Sequence, residues 1–166
     1  RREALRRIAF MPQSASAPRN LSVLETVTYL TWMRGAPWSR ARQQARQALA
    51  LVDLEKMSDT RCKALSGGMQ RRVWLAQALA SEADVLLLDE PSTGLDPRQR
   101  QLMLTALHRA AETGATIVLS SHVLEDVADL ADHLVVLTHG TVAFDAAMPE
   151  SLDSTWFLDV TDGVRP

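Results

Sequence analysis

The amino-acid sequence predicts an α/β fold, a mostly parallel sheet flanked by helices with a helical subdomain inserted into it. Three observations carry this expectation. Residues 85–88 and 116–120 are short apolar runs, the pattern of strands buried on both faces. Each is followed by a segment of helical spacing, so strands and helices alternate as in βαβ units. Ahead of them, residues 23–80 hold three helical patterns with no strand between, which makes a separate helical subdomain.

Along the chain, residues 7–11 read as a short strand stopped at Pro12. Pro18, Asn20 and Ser22 mark a loop. Val23, Val27, Leu30 and Met33 then fall at helical spacing, and Gly35 and Pro37 close that helix. Ser39 is placed to cap a second helix, whose inner stripe is Ala41, Ala45, Ala48, Leu49 and Val52. Residues 57–64 look irregular. A third helix begins near Ser66 and runs to about Ala80, with Met69, Val73, Ala76 and Leu79 facing inward. After the strand at 85–88, Asp96 as N-cap and Pro97 in first position open a helix over 97–112, ended by Gly114. A strand at 116–120, a short helix at 123–131 and a strand at 133–137 follow. His139-Gly140 turns the chain into a hairpin partner at 141–144.

With 166 residues, 46% of them apolar and 23% charged, the chain suits one globular domain or a large piece of one. A formal charge of −2 argues against a nucleic-acid module working by bulk electrostatics. The single cysteine, Cys62, cannot form an internal disulfide, so no secreted disulfide scaffold is indicated. The apolar runs fall far short of the ~20 residues of a membrane span. The charged N-terminus does not read as a signal peptide, and a soluble intracellular domain is expected. Only Lys56 and Lys63 are lysines, and neither follows a glycine. The chain therefore holds no Gly-x-x-x-x-Gly-Lys-Ser/Thr phosphate loop.

Chemistry concentrates in three places. Leu86-Leu87-Leu88-Asp89-Glu90-Pro91 delivers two adjacent carboxylates at the C-terminal end of a strand, where open α/β sheets bind ligands. Asp89 continues the strand and suits Mg²⁺, a hard cation that takes oxygen ligands. Glu90 turns off the strand end and suits a general base acting on water. The bland alternative is a buried strand running into an acidic turn. Leu65-Ser66-Gly67-Gly68-Met69 joins a capping serine to two glycines at a helix N-terminus, a potential anion site or a plain turn. Ser120-Ser121-His122 ends a strand with a histidine able to donate to a phosphate oxygen. His108, His133 and His139 have no such context and read as structural. Gln13, alone in a loop after Pro12, is by itself a solvated side chain.

As an ordered set these motifs become specific. Gln13, then Leu65-Ser66-Gly67-Gly68, then Leu88-Asp89-Glu90-Pro91-Ser92-Thr93-Gly94-Leu95-Asp96-Pro97, then Ser120-Ser121-His122 closely resemble the nucleotide-binding cassette of ABC transporters, over about residues 11–140. The resemblance implies a P-loop NTPase-like fold. It implies ATP and Mg²⁺ as ligands, with Asp89 as the metal-holding carboxylate and Glu90 as the general base. Gln13 would sense Mg²⁺, water and the membrane subunit, and His122 would be the switch histidine. Ser66, Gly67 and Gly68 would grip the γ-phosphate of ATP on a partner cassette, with Met69 beside them. Asp96 would cross the dimer interface. Implied partners are a transmembrane permease subunit and a second cassette, as homodimer or heterodimer, at the cytoplasmic face of the plasma membrane, with no nucleic acid.

The sequence departs from the family pattern in two ways. Met69 stands where the signature usually has glutamine, and the Met-Gln-Arg-Arg continuation resembles cassettes of drug and polar-compound exporters. The family's phosphate loop and adenine-stacking aromatic precede the glutamine loop, so the sequence resembles the later two thirds of a cassette with its N-terminal strands absent. The expected divisions are 1–13, the end of a core lobe with the glutamine loop; 14–80, the helical subdomain; 81–146, the α/β core; and 147–166, a C-terminal extension. The permease is expected to dock on residues 14–38. There Trp32 and Trp38 are expected to be exposed and Tyr29 to fill the subdomain core. The alternatives are a soluble ABC-type ATPase of translation or DNA repair, and a truncated interaction module that does not turn over ATP.

Overall fold

The computed structural model describes residues 6–14 and 17–163. The charged N-terminal residues 1–5, and Ala15 and Ser16 within the expected docking stretch, lie outside them. The chain divides into two compact units, Arg1–Ser120 and Ser121–Pro166.

The sheet of the first unit has three parallel strands in the order β1 (Ile8–Met11), β2 (Val85–Asp89), β3 (Thr116–Ser120). Parallel pairing requires crossovers. The long one between β1 and β2 holds three helices: α1 (Val23–Met33), α2 (Trp38–Leu51) and α3 (Gly67–Ala80). The short one from β2 to β3 holds α4 (Pro97–Glu112). Register aligns Phe10 with Leu87 and Val118, and Met11 with Leu88 and Leu119.

Burial along these strands has a period of two. Ala9, Met11, Leu86 and Leu88 are buried, while the opposite row leaves Phe10 at 53% and Val118 at 54% exposure. The expectation of strands buried on both faces is thus corrected: helices cover one face, and β3 is an edge strand that is nowhere fully buried. The outer edge of β1 is treated differently. Arg34, just past α1, donates to the carbonyls of Arg6 and Ile8, which occupies backbone acceptors on an open strand. Burial lowers the pKa of that guanidinium, though a guanidinium stays charged at any ordinary pH.

Helix α1 opens on a capping box. Ser22 Oγ accepts from Glu25 N at 3.1 Å, and Glu25 Oε2 accepts from Ser22 N at 2.7 Å. Its buried face is Val23, Leu24, Thr26, Val27, Thr28 and Thr31, not the stripe ending in Leu30 and Met33. Two of the three buried threonines on that face are bonded: Thr31 Oγ1 donates to Val27 O, and Thr26 Oγ1 meets Cys62 Sγ at 3.3 Å, while Thr28 Oγ1 is buried without a partner. The rotation of the helix puts Tyr29 outside at 41% exposure, against the expectation that it fills the core. Gly35 closes α1 at φ 106°, a conformation in which a side chain is strained.

Helix α2 begins at Trp38 with Pro37 as N-cap, so Ser39 sits in the first turn and caps nothing. The fixed φ of proline already sets the chain direction one residue earlier. Its expected stripe of Ala41, Ala45, Ala48, Leu49 and Val52 is buried. In α3 the buried set is wider than the expected stripe and includes Arg72, Leu75, Gln77 and Ala78, while Met69 and Leu79 are half-buried. Arg72 Nη1 donates to Val52 O and Asp53 O at the end of α2, while its Nε is buried without a partner. The stretch expected to be irregular contains two 3₁₀ turns, Glu55–Met57 and Cys62–Ala64.

The second unit has a short helix α5 (Leu124–Leu130) and an antiparallel hairpin of β4 (His133–Thr138) and β5 (Thr141–Ala147). His139 and Gly140 both have positive φ, as a two-residue hairpin loop demands. A closing helix α6 (Ser154–Thr161) lies within the expected C-terminal extension. Its Trp156 stands edge-on to Phe144 at 5.0 Å and forms a core with Val136 and Val160. His133 pairs with Asp145 at 2.7 Å across the hairpin, a structural role.

Candidate functional site

The site is built on the C-terminal end of β2. Parallel register sets Ser120 beside Asp89. Its hydroxyl donates to Asp89 Oδ1 at 2.6 Å and accepts from Glu90 N at 3.1 Å. Both capacities of one hydroxyl are used to hold two neighbouring acids. Glu90 then leaves the strand at φ 49°, a left-handed conformation that is rare for a residue with a side chain. Its carboxylate accepts from Thr93 Oγ1 at 3.1 Å, and its carbonyl from Thr93 N at 3.3 Å. Two adjacent carboxylates, both half-buried, are therefore aimed differently by different partners. Among the described residues no cluster of three or more acidic, histidine or cysteine side chains forms a metal cage. Asp89 fits Mg²⁺ in the way that ion is commonly held, by one or two carboxylates with water and substrate phosphates completing its shell.

The N-terminus of α3 approaches the same region. Ser66 is the N-cap, accepting from Met69 N at 3.3 Å. The two glycines differ in their surroundings. A Cβ on Gly67 would meet nothing within 4 Å, whereas one on Gly68 would lie 3.3 Å from Gly94 O and 3.1 Å from Gln99 Oε1. Gly68 permits close approach of the loop leading to Asp96, and Gly67 leaves the helix end open. Asp96 is exposed and caps α4 by accepting from Gln99 N at 2.8 Å.

Gln13 follows Pro12 at the end of β1 with its side chain exposed, and its carbonyl accepts from Arg71. A cavity of about 400 Å³ separates Gln13 and Ser14 from Gly67, Gln70 and Trp74 on α3. Gln13, Ser66, Gly67, Gly68, Asp89, Glu90 and Asp96 all belong to the first unit. His122 belongs to the second and is exposed there, next to Ser121, whose hydroxyl accepts from Val123 N.

A model of the ABC transporter family matches residues 1–93. The chain belongs to the ABC transporter family. Curated ABC transporter relatives agree over nearly all of its length. It is 34% identical over 165 residues to the Nod factor export ATP-binding protein I of Burkholderia orbicola, covering 99% of this chain and 54% of that protein. It is 34% identical to the daunorubicin/doxorubicin resistance ATP-binding protein DrrA of Streptomyces peucetius, covering 87% of this chain and 44% of that one. The chain spans about half the length of the curated relatives it matches. Among solved structures, an ATP-binding subunit of an ABC transporter shares the fold with TM-score 0.80 and 24% identity, covering 89% of this chain and 61% of the other. A dimeric bacterial ABC transporter cassette matches with TM-score 0.78 and 25% identity, covering 87% and 64%.

Two residues of this candidate site carry more than the sequence assigned to them. Ser120 was visible only as the start of Ser120-Ser121-His122, and its bond to Asp89 depends on strand register. Arg71 stood within the signature run, yet its three carbonyl partners lie far away in sequence. The order of strand ends in a parallel sheet is the signal that points to Ser120.

Proposed function

We propose that this chain works as part of the ATP-binding subunit of an exporter-type ABC transporter, coupling ATP binding and hydrolysis to export. The observation that carries this reading is the pair Asp89 and Glu90 at the end of β2, held apart in role by Ser120 and Thr93. Asp89 would hold Mg²⁺, which would neutralise phosphate charge when bound. Glu90, half-buried at the turn, takes a proton from the attacking water. Gln13 lines the approach from the loop after β1, and the role that the family resemblance implies for His122, in the second unit, is that of a hydrogen-bond donor to phosphate. Ser66, Gly67 and Gly68, with Met69 behind them, offer open backbone amides at a helix N-terminus to the ATP of a second cassette, and Asp96 faces that interface.

The transmembrane permease subunit docks on the exposed aromatic cluster of Tyr29, Trp32 and Trp38. Successive ring centroids there lie 5.8 and 6.0 Å apart. Among the described residues no helix is long and apolar enough to cross a membrane. Attachment to the cytoplasmic face through that subunit is part of the same proposal. One curated relative is named an export ATP-binding protein and another a drug resistance ATP-binding protein, which favours this reading over an ATPase of translation or DNA repair.

The test is magnesium-dependent ATP hydrolysis by the intact protein with its permease, with and without Glu90→Gln. The 166-residue chain alone, which has no lysine-bearing phosphate loop, turns over ATP no faster than background. Equal turnover by wild type and Glu90→Gln would overturn the assignment of Glu90.

A further inference from the structure

We propose that Arg71 is a positioning residue that locks the Gln13 loop and the Glu90 turn to the first turns of α3. This rests on the reading above and adds the means by which its parts hold one geometry.

Arg71 lies one helical turn after Gly67. Its Nη1 donates to Glu90 O at 3.0 Å and to Thr93 O at 2.7 Å, and its Nη2 donates to Gln13 O. One guanidinium thus holds three carbonyls from two segments that are remote in sequence. The planar fork of arginine spreads donors over such an arc, whereas lysine is a point charge on a flexible stem. Glu90 is where this matters most. Its left-handed backbone departs from the strand, and a non-glycine residue keeps such a conformation only when its surroundings over-determine it. Ser120 fixes the amide of Glu90, Thr93 its carboxylate, and Arg71 its carbonyl together with that of Thr93. The same guanidinium reaches Gln13, so the loop after β1 and the carboxylate turn are referred to one helix. That helix is the one whose N-terminus carries Ser66, Gly67 and Gly68. Displacement of α3 is transmitted to Glu90 through Arg71, and the proton acceptor is in place only when α3 is seated.

The experiment uses the intact protein with its permease and a double-mutant cycle. Arg71→Ala lowers kcat by about tenfold to a hundredfold, the range expected for a small misplacement of a reacting group, with KM for ATP changed by less than about twofold. On the Glu90→Gln background, Arg71→Ala brings no further loss, because the group it positions is already gone. Arg71→Lys, which keeps the charge and packing and guards against a variant that fails to fold, gives an intermediate kcat. Wild-type kcat in a folded Arg71→Ala or Arg71→Lys protein overturns the proposal, and so does the same fractional loss on both backgrounds. If Glu90→Gln itself leaves turnover intact, the reading of Glu90 falls and the role of Arg71 falls with it, an outcome distinct from the other two.

Discussion

Ser120 donates to Asp89 Oδ1 at 2.6 Å while accepting from the amide of Glu90. The last residue of one strand thereby orients two acids on its neighbour. Ser120→Ala removes a hydrogen bond to a charged group, worth roughly 1.5–3 kcal/mol. The expected result in the intact protein is a raised magnesium requirement and turnover reduced by about tenfold, with Ser120→Thr restoring both. Asp89→Asn weakens magnesium binding more, and raises the requirement further. A magnesium titration of ATPase activity decides it, and an unchanged titration in Ser120→Ala removes the serine from the site.

Glu90→Gln keeps the shape of the side chain and removes its basicity. Hydrolysis drops by ~10² or more, in line with loss of a general base, while ATP binding survives and a closed dimer accumulates. That dimer gives a background for testing the end of α3. Gly67 has open space where a Cβ would go, so Gly67→Asp folds, and a helix N-terminus accepts the carboxylate. The added charge repels phosphate and abolishes ATP-driven dimerisation, as size-exclusion chromatography will show. Gly67→Ala is the steric control, and a dimer that survives Gly67→Asp would leave Ser66, Gly67 and Gly68 as a helix cap only.

Trp32 and Trp38 are 46% and 50% exposed and stand edge to face at 6.0 Å. Large aromatics are frequent interface anchors. Trp38→Ala is expected to uncouple transport from ATPase activity with little change in stability. Co-purification with the permease is the measurement. Retention of the complex and its transport by both Trp38→Ala and Trp32→Ala would move the docking surface elsewhere.

The capping box of α1 carries a pH dependence. The backbone amide of Ser22, followed by its hydroxyl, holds the Glu25 carboxyl below its ordinary pKa of 4.5. A depressed carboxylate stabilises the folded state in full above its unfolded value, and that stability is lost as pH falls through the lower folded value. Thermal melts will show Glu25→Gln differing from wild type at neutral pH and converging with it under acid. Ser22→Ala costs about 1 kcal/mol, the usual loss for a cap. Parallel melting curves for wild type and Glu25→Gln at every pH would show that the pair contributes nothing.

Much of the fold was legible because it is written locally. Asp96 and Pro97 mark the start of α4, Ser66 that of α3, and His139-Gly140 the hairpin, each through backbone chemistry confined to a few residues. Asp89 and Glu90 stood out through the ordered set of motifs around them, since an apolar strand ending in acids is by itself also a common acidic turn. The exposure of Tyr29 was not legible. Period alone does not choose between a stripe of Leu30 and Met33 and a face that buries Thr26, Thr28 and Thr31. Nor does an apolar run such as Val118 to Leu119 say which strand stands at a sheet edge. The bonds of Ser120 and Arg71 depend on register and on helix placement, which are long-range properties.

The row of Phe10, Leu87 and Val118 bears on how this chain behaves in concentrated solution. An apolar plane left to water on a twisted sheet invites a second sheet, and an edge strand invites another strand. Two copies meeting there would bury the row against itself without any nucleotide. Such association is driven by apolar area, so it strengthens with sulfate and weakens on cooling. Contacts made through surface arginines behave oppositely towards salt. The 166-residue chain is therefore expected to stay monodisperse when cold, dilute and free of kosmotropic salts, and light scattering against sulfate and temperature checks this consequence of its exposed sheet row.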